Sequence, residues 1–223
     1  MFVRDHMTRD PRTINPKTTY PEAINLMREH KIRRLPVLEK DRLVGIVVEK
    51  DLLSNQPSPA SSLSIHEMYA LLERLQVRQF MSSPVITITG DFPMEDAARI
   101  MVERKISCLP VMDGGTLVGM ITETDIFKTF VDALGGGESG TRITIHLPDQ
   151  VGALAEITRR IAAAQGNIIA LTASKAQIDL HQEITIKESG ADSDTLIKQL
   201  EGSDAVIIDL RTNANYEPIM FGN

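Results

Sequence analysis

The sequence predicts a mixed α/β (α+β) fold, in which a duplicated α/β unit is followed by a separate unit of β-α-β-β-α-β order. Two observations support this prediction. The segment from Val3 to Leu53 is repeated without a gap 74 positions later. After the glycine-rich segment GGGESG, which begins at Gly135, the order of strand and helix patterns changes. We therefore interpret the chain as two kinds of domain.

The duplication is recognised by motifs that recur at constant spacing. The tripeptide LPV at 35–37 recurs at 109–111, and LVG at 43–45 recurs at 117–119. Further identities share the same offset, so chance does not explain the match. Because each copy supplies only half of a core, we expect the two copies to pack on each other around a pseudo-twofold axis.

Each copy is expected to contain two helices and three short strands. Pro21 or Pro93 opens the first helix, since proline is favoured in a first helical turn. LPV lies in the second strand, a polar turn follows, and the third strand ends shortly before Asp51 or Asp125. A second helix is expected to begin near each of these aspartates.

The two copies are joined by the Pro/Ser-rich segment NQPSPASS at 55–62, which is expected to be a mobile linker. A capping-box pattern from Ser64 to Glu67 then opens a helix. The apolar residues of this helix recur on one face, so we expect the helix to pack against the body. They are Ile65, Met68, Leu72 and Leu75.

The last third of the chain predicts the ferredoxin-like order of elements. A strong helical pattern runs from a loop at PDQVG to a glycine stop at Gly166, and GGGESG before it is interpreted as a flexible boundary. The expected limits are 1–56 for the first copy, 57–75 for the linker and connecting helix, 76–134 for the second copy, 135–140 for the glycine-rich linker, 141–215 for the last domain and 216–223 for a tail.

Composition and charge exclude several classes of function. The net charge of −6 and the pI of about 5.4 argue against non-specific binding to nucleic acid. No apolar run reaches the roughly 20 residues of a membrane span, and the first residues lack the apolar core of a signal peptide. A single cysteine fits a reducing compartment. We expect a soluble, cytoplasmic protein that binds neither nucleic acid nor membrane.

Catalytic and metal-binding chemistry finds little support in the sequence. The five histidines are scattered without metal-ligand spacing. Cys108 lies in the apolar stretch ISCLPV, which favours a buried, inert thiol. Nucleophile-elbow and Walker-type glycine motifs are absent from the sequence. We therefore expect a protein that is not an enzyme and that requires no metal and no cofactor.

The duplicated units resemble CBS domains, the type found in cystathionine β-synthase. The resemblance rests on the LPV strand, the polar turn after it, and the ending GMITETD, which matches a family pattern of Gly, an apolar residue, any residue, Ser/Thr, two residues and Asp. The last third resembles an ACT domain, because PDQVGAL stands where that family has Asp-x-x-Gly-x-Leu and GNI opens the next strand. The combination is similar to CBS–ACT regulatory proteins of the acetoin-utilisation type.

This resemblance implies a non-enzymatic regulatory sensor. The CBS pair would bind an adenine nucleotide of the AMP, ADP or ATP class as a regulatory ligand. The ACT domain would pass on the signal to an unknown regulated protein, bind an amino acid, or form a homodimer. Two alternatives stay open: a structural oligomerisation module with vestigial nucleotide sites, and an amino-acid-responsive ACT regulator.

Within GMITETD, the resemblance implies specific ligand contacts. Asp125 would accept hydrogen bonds from the ribose hydroxyls, Thr122 would bond ribose or phosphate, and Gly119 would let the backbone approach the ligand. The alternative is a helix cap, because Thr-x-x-Asp before an apolar run is also a capping-box pattern. The candidates for contact with adenine are Thr87, Ile88, Leu109 and Pro110.

The first copy departs from this pattern. It reads GIVVEKD, so Val48 stands in place of the hydroxyl residue while Asp51 remains. Conversely, Arg33 and Arg34 precede LPV in the first copy, whereas the second copy has Ser-Cys at 107–108. The hypothesis is one nucleotide bound chiefly at the second copy, with the arginines reaching across the pseudo-twofold axis to its phosphates. The alternative for the arginine pair is a solvated face.

In the ACT-like unit, Asp149 and Gly152 are the candidates for contact with an amino acid. The carboxylate of that ligand would lie at the start of the helix behind them. The alternative is structural: Asp149 begins the helix and Gly152 permits packing, in a domain that forms a dimer.

Overall fold

The computed structural model describes residues 1–54, 65–176 and 180–212. It contains helices and antiparallel sheets, so the predicted mixed α/β class is confirmed. Packing divides the chain into two units, Met1–Phe127 and Lys128–Asn223. This division falls inside a helix, whereas the sequence placed the boundary in the glycine-rich segment. The domain limits expected from the sequence stay predictions.

The first unit contains the two copies of the repeat. The first copy comprises α1 (Val3–His6), β1 (Thr8–Arg9), α2 (Tyr20–Glu29), β2 (Arg34–Glu39), β3 (Arg42–Val48) and α3 (Glu49–Ser54). After α4 (Ile65–Arg74), the second copy comprises a 3-10 helix (Val77–Gln79), α5 (Met94–Arg104), β4 (Cys108–Asp113), β5 (Thr116–Thr122) and the beginning of α6 (Glu123–Ala133). Pro21 lies in the first turn of α2, as predicted, whereas Pro93 is the N-cap of α5.

The two copies have the same strand register. In the first copy β2 and β3 are antiparallel and Arg34 pairs with Val48, and in the second copy β4 and β5 are antiparallel and Cys108 pairs with Thr122. Both ladders shift register directly after the LPV tripeptide. The gapless repetition of the sequence is therefore a repetition of the backbone, including its bulge.

In each copy, the segment that precedes the first long helix, which we call its leading segment, pairs with a strand of the other copy. Thr8 in β1 pairs with Met120 of β5, so β1 belongs to the sheet of the second copy, in the order β1-β5-β4. The equivalent residue of the second copy, Ser82, forms a bridge with Ile46 of β3. This reciprocal exchange shows that the copies pack on each other, as the sequence predicts.

Two glycines make room for the exchanged segments. A Cβ built on Gly119 would lie 2.5 Å from Met7 Sδ and 3.0 Å from the carbonyl oxygen of Thr8. A Cβ built on Gly45 would lie 2.9 Å from Met81 Cγ. The sequence interpretation gave Gly119 to the approach of a ligand, and this stays a prediction; in the structure, a methionine of the other copy lies against this glycine.

The core of the first copy lies between α2, α3 and the β2-β3 pair. Leu72 of α4 and Leu75, which follows directly after this helix, pack against this core, as predicted. The proposed cap at Ser64, the linker at 55–62 and the tail at 216–223 lie outside the described residues. The buried members of the core are Tyr20, Ala23, Ile24, Met27, Leu35, Val37, Val47, Leu52 and Val77.

The second unit contains the predicted ferredoxin-like arrangement. Its elements are β6 (Thr141–Pro148), α7 (Ala153–Ala163), β7 (Asn167–Lys175), β8 (His181–Ser189), α8 (Ser193–Glu201) and β9 (Val206–Thr212). The strand order is β7-β8-β6-β9 and all pairs are antiparallel. Alternating apolar residues of β6 and β8 meet the apolar stripes of the two helices, because successive strand side chains point to opposite faces.

The first two glycines of GGGESG end helix α6 in a Schellman motif. The N–H of Gly136 donates to Val131 O at 2.7 Å, and the N–H of Gly135, whose φ is 68°, donates to Asp132 O at 3.0 Å. Lys187 Nζ also donates to the carbonyl oxygen of Gly135 at 2.7 Å. Backbone groups of these two residues are therefore hydrogen-bonded, while the glycine-rich linker stays a prediction.

Candidate functional site

A cleft of about 590 Å³ lies within the first unit, between the two copies of the repeat. This volume falls in the range of about 300–1,000 Å³ that is typical of small-molecule sites. We call it the first cleft. The first copy lines it with Arg33, Arg34, Ile46, Val48, Glu49, Lys50 and Asp51, and the second copy with Ser82, Pro84, Val85, Ile86, Lys105, Ile106, Ser107, Cys108, Pro110 and Glu123.

The composition of the first cleft follows from the exchange of leading segments. Ser82 bridges Ile46 in β3, so the chain after it, residues 84–86, passes the end of β3, where Val48 and Asp51 lie. The carboxylate of Asp51, which belongs to the first copy, therefore shares the cleft with residues of the second copy. A site of this kind requires both copies.

The lining combines apolar surface with charge. The prolines, isoleucines and valines of the two copies give an apolar wall suited to a flat, weakly polar ring. Four cationic side chains and three carboxylates share the same cleft, so the excess charge is positive. The cations are Arg33, Arg34, Lys50 and Lys105, and the carboxylates are Glu49, Asp51 and Glu123.

The side chain of Arg34 reaches the other copy, as the sequence hypothesis requires. Its Nε donates a hydrogen bond to Ser107 Oγ at 3.1 Å. The backbone around this contact is symmetric, because the N–H of Glu49 donates to Arg33 O at 2.9 Å and the N–H of Glu123 donates to Ser107 O at 3.1 Å. The arginine pair thus lies where the two copies meet. Contact with phosphates stays a prediction.

Cys108 lies at the bottom of the first cleft and is buried. Burial raises the pKa of its thiol to about 11, and the nearby carboxylate of Glu123 acts in the same direction. The Arg34 guanidinium opposes this rise in the pKa but does not cancel it. The thiol is protonated at neutral pH, which fits the inert character expected from the sequence.

Thr122 and Asp125 form the capping box that begins α6. Asp125 Oδ2 accepts from the Thr122 N–H at 2.9 Å and from Thr122 Oγ1 at 2.7 Å, and the N–H of Asp125 donates to Thr122 Oγ1 at 3.4 Å. The capping interpretation of GMITETD is therefore confirmed. A ligand contact at these residues stays a prediction, and such a ligand would have to share the carboxylate with the helix.

The structure brings part of the predicted set together in the first cleft, namely Arg33, Arg34, Asp51 and Pro110. The remaining candidates do not line this cleft: Gly119, Thr122, Asp125, Thr87, Ile88 and Leu109. Ile88 and Leu109 are core residues with 6% and 0% of their surface exposed. The sequence interpretation combined Asp125 with the arginines of the first copy. In the structure these arginines share the first cleft with Asp51 and with residues of the second copy.

Sequence reasoning missed the cleft residues that lie before α5 in the second copy. Pro84, Val85 and Ile86 contribute to the first cleft, but they lie outside the motifs that recur. Their role depends on the exchange of leading segments, for which the repeat itself gives no signal. Lys105, which also lines the first cleft, has a lysine at the equivalent position of the first copy, Lys31.

The turn that contains Asp149 and Gly152 in the second unit is exposed. Helix α7 begins at Ala153 with Gly152 as its N-cap, at a φ of 91°. A Cβ on Gly152 would meet no atom within 4 Å, so the glycine is required by its backbone conformation and not by packing. Asp149 precedes the helix, and its side chain accepts a hydrogen bond from Gln182 Nε2. Contact of this turn with an amino acid stays a prediction.

Comparison with known families agrees with this architecture. The CBS domain model matches residues 3–58 and 77–132, which together make up half of the chain. The chain belongs to the CBS-domain family. Residues 139–211 match the model of the TTHA0829-like ACT domain, so the chain is a tandem CBS pair followed by an ACT domain, and the resemblance found in the sequence is confirmed.

Individual relatives match the CBS pair. An uncharacterized protein of Methanocaldococcus jannaschii is 35% identical over 145 residues, which is 63% of this chain but 34% of that relative. A CBS domain-containing protein of Dictyostelium discoideum is 30% identical over 136 residues, covering 60% of this chain and 94% of the relative. A crystal structure described as that of an acetoin utilization protein from Vibrio cholerae has 29% identity and a TM-score of 0.50, covering 60% and 93%.

Within residues 1–54, 65–176 and 180–212, none of the helices has the length and apolar character needed to cross a membrane. Across the same part of the chain, no group of three or more His, Cys, Asp and Glu side chains is arranged to hold a metal ion.

Proposed function

We propose that this protein is a regulatory sensor whose CBS pair binds an adenine nucleotide. CBS and ACT domains belong to families of regulatory modules. The observation that carries the proposal is the first cleft, in which an arginine pair, the carboxylate of Asp51 and an apolar wall surround about 590 Å³. A nucleotide has a group suited to each of these features, namely its phosphates, its ribose hydroxyls and its adenine ring.

In this proposal, each part of the ligand lies beside the part of the lining that suits its chemistry. The adenine ring lies against the apolar side chains that include Val48 and Val85. The carboxylate of Asp51 accepts hydrogen bonds from the two ribose hydroxyls. Arg33 and Arg34 bind the phosphates, because a planar guanidinium can donate two parallel hydrogen bonds to phosphate oxygens.

The experiment is a thermal-shift series with AMP, ADP, ATP, adenosine and S-adenosylmethionine. We expect the phosphorylated nucleotides to raise the unfolding temperature, since a ligand that binds only the folded state stabilises it. Adenosine lacks phosphate and S-adenosylmethionine carries a sulfonium cation, so both should give smaller shifts. If none of the five compounds raises the unfolding temperature, the proposal is wrong.

A matched pair of variants locates the binding. Arg34→Ser removes a cation that lines the first cleft, whereas Arg104→Ser removes a cation of the same kind from the exposed end of α5. The nucleotide-induced shift should fall in the first variant and persist in the second. Equal loss in both would mean that non-specific charge attraction causes the shift.

We assign the output to the ACT domain, which forms a homodimer or contacts a regulated protein. Transmission requires that the nucleotide bind two states of the protein with different affinity. Light scattering with and without AMP or ATP tests this part by comparing the molar mass. A monomer under both conditions would remove the homodimer from the proposal and leave nucleotide binding intact.

A further inference from the structure

The two edge strands of the ACT sheet carry the same irregularity. In the order β7-β8-β6-β9, the outer strands are β7 and β9. The ladder between β7 and β8 skips Ile169, which is therefore the extra residue of a bulge. The ladder between β9 and β6 skips Ile208 in the same way. Each edge thus presents an isoleucine at a bulge, and the two edges can be compared directly.

The edge of β7 is protected against a further strand. Gly135 lies against its bulge, since a Cβ built on this glycine would be 3.0 Å from Ile169 Cγ2. Lys187 holds the glycine in place, because its Nζ donates to the carbonyl oxygen of Gly135 at 2.7 Å. The strand then ends in the small or polar, exposed residues Thr172–Lys175. A covering segment and an edge lysine are devices that prevent edge-to-edge pairing.

The edge of β9 has no such cover among the described residues. Ile208 has 49% of its surface exposed and Val206 has 57%. Within the same part of the chain, β6 is the only strand that pairs with β9, and this ladder is regular from Asp209 to Thr212. A regular edge beside exposed branched apolar side chains is a template on which a further strand can pair.

The charges of β9 indicate which strand fits this edge. Asp209 and Arg211 lie on one face of the strand, where Arg211 Nε donates to Asp209 Oδ1 at 2.9 Å. If two copies of β9 pair in antiparallel fashion about Leu210, Asp209 of each lies opposite the partner's Arg211. Pairing about Asp209 or about Arg211 would instead place like charges directly opposite each other, which is destabilising. The edge is therefore complementary to itself in one register.

We infer that two copies of this chain associate through the β9 edges of their ACT domains, in antiparallel register about Leu210. A twofold axis beside Leu210 makes the contact isologous and joins the two four-stranded sheets into one continuous sheet. This inference deepens the homodimer part of the proposed function, on which it rests, and it is independent of nucleotide binding.

The first experiment compares one added charge at each edge of the sheet. Ile208→Lys adds a cation to the β9 edge, and the matched control Thr172→Lys adds the same cation to the exposed part of β7. Sedimentation velocity of the full chain measures the dimer dissociation constant. We expect an increase of at least about tenfold for Ile208→Lys and less than about threefold for Thr172→Lys. Equal effects, or no effect of Ile208→Lys, would overturn the inference. Circular dichroism controls for folding.

The second experiment tests the register through charge reversal. Asp209→Arg alone and Arg211→Asp alone each place like charges opposite each other across the axis, so each variant should be monomeric. When the two variant chains are mixed, every reversed charge faces an opposite one, and a mixed dimer should form. An affinity tag on one chain detects this dimer by co-purification of the other. The charge pair within one strand is lost in both chains, so it cannot cause the rescue. Mixed chains that stay monomeric would contradict the register about Leu210.

The outcomes separate this inference from the proposed function. A wild type that dimerises as before when β9 is changed keeps the homodimer and removes the β9 assignment. A monomeric wild type removes both and leaves nucleotide binding intact. The tail at 213–223 follows β9 directly and lies outside the described residues. If the wild type is monomeric and a chain ending at Thr212 is dimeric, the tail occupies the edge of its own chain, and the inference is wrong for the full chain.

Discussion

The first and second copies of the repeat have the same backbone and different chemistry. Their strand registers, their bulges and the exchange of their leading segments are equivalent. Their side chains at equivalent positions differ, because the first copy supplies Arg33, Arg34 and Val48 where the second supplies Ser107, Cys108 and Thr122. The common backbone of the two copies therefore depends on a few small or apolar residues that both copies share. The copies differ from each other at polar positions.

The strongest test of this comparison concerns the two glycines that admit the exchanged segments. Gly119→Val should destabilise the protein by about 3 kcal/mol, because an added side chain meets both Met7 and the backbone of Thr8. Gly45→Val should cost about 1–2 kcal/mol, since its near neighbour is the flexible side chain of Met81. Denaturant unfolding measures both.

The control is the double variant Gly119→Val with Met7→Ala, which removes the flexible part of the clash. It should recover part of the loss but not all of it, because the Thr8 carbonyl oxygen remains. An equal cost at both glycines would show that the two exchanges are energetically equivalent.

The next test uses the position that holds Arg34 in the first copy and Cys108 in the second. The pKa of Cys108 is raised in the folded state, so its contribution to stability is fully present below the unfolded pKa of about 9 and is lost as the pH rises to about 11. The free energy of unfolding should fall by about 1.4 kcal/mol per pH unit within this window. Because lysines and tyrosines also titrate there, the measurement is the difference between wild type and Cys108→Ala, and parallel curves would disprove the effect.

The smallest expected effect concerns the caps of the equivalent helices. Thr122→Val gives the second copy the residue of the first and removes the capping box of α6, at a cost of about 1 kcal/mol. Val48→Thr makes the reverse change before α3 and should alter stability by less than about 0.5 kcal/mol, because the new cap is offset by lost apolar contact. Thermal unfolding of both variants measures the difference. If Thr122→Val is neutral, the capping box does not stabilise α6.

Much of the fold could be predicted because its signals are local or repeated. Alternation and helical spacing gave the ferredoxin-like order of the last unit, and the recurrence of LPV gave the repeat. The hydrogen bonds of the glycines at 135 and 136 could not be predicted, because the Schellman motif and the bond from Lys187 involve partners that composition does not reveal. Glycine-rich sequence is compatible with a flexible linker and with a tight helix end.

The candidate site was predictable in part. Asp51, Arg33 and Arg34 were found from a motif and its departures, and they lie together in the first cleft. Their partners at 84–86 were not found, since no local pattern shows which copy a leading segment will join. The sequence interpretation combined the arginines with Asp125, whereas in the structure they share the first cleft with Asp51.

The sequence by itself determined that a duplicated unit is followed by a unit of ferredoxin-like order, because hydrophobic period and repeated motifs can be read from the order of residues alone. The families followed from the resemblance of those motifs to CBS and ACT domains. Only the tertiary structure decided which residues share a cleft, and it did so through the exchange of leading segments that Gly45 and Gly119 permit. Contacts between positions far apart in sequence depend on packing, and packing depends on the space that side chains of the other copy leave open.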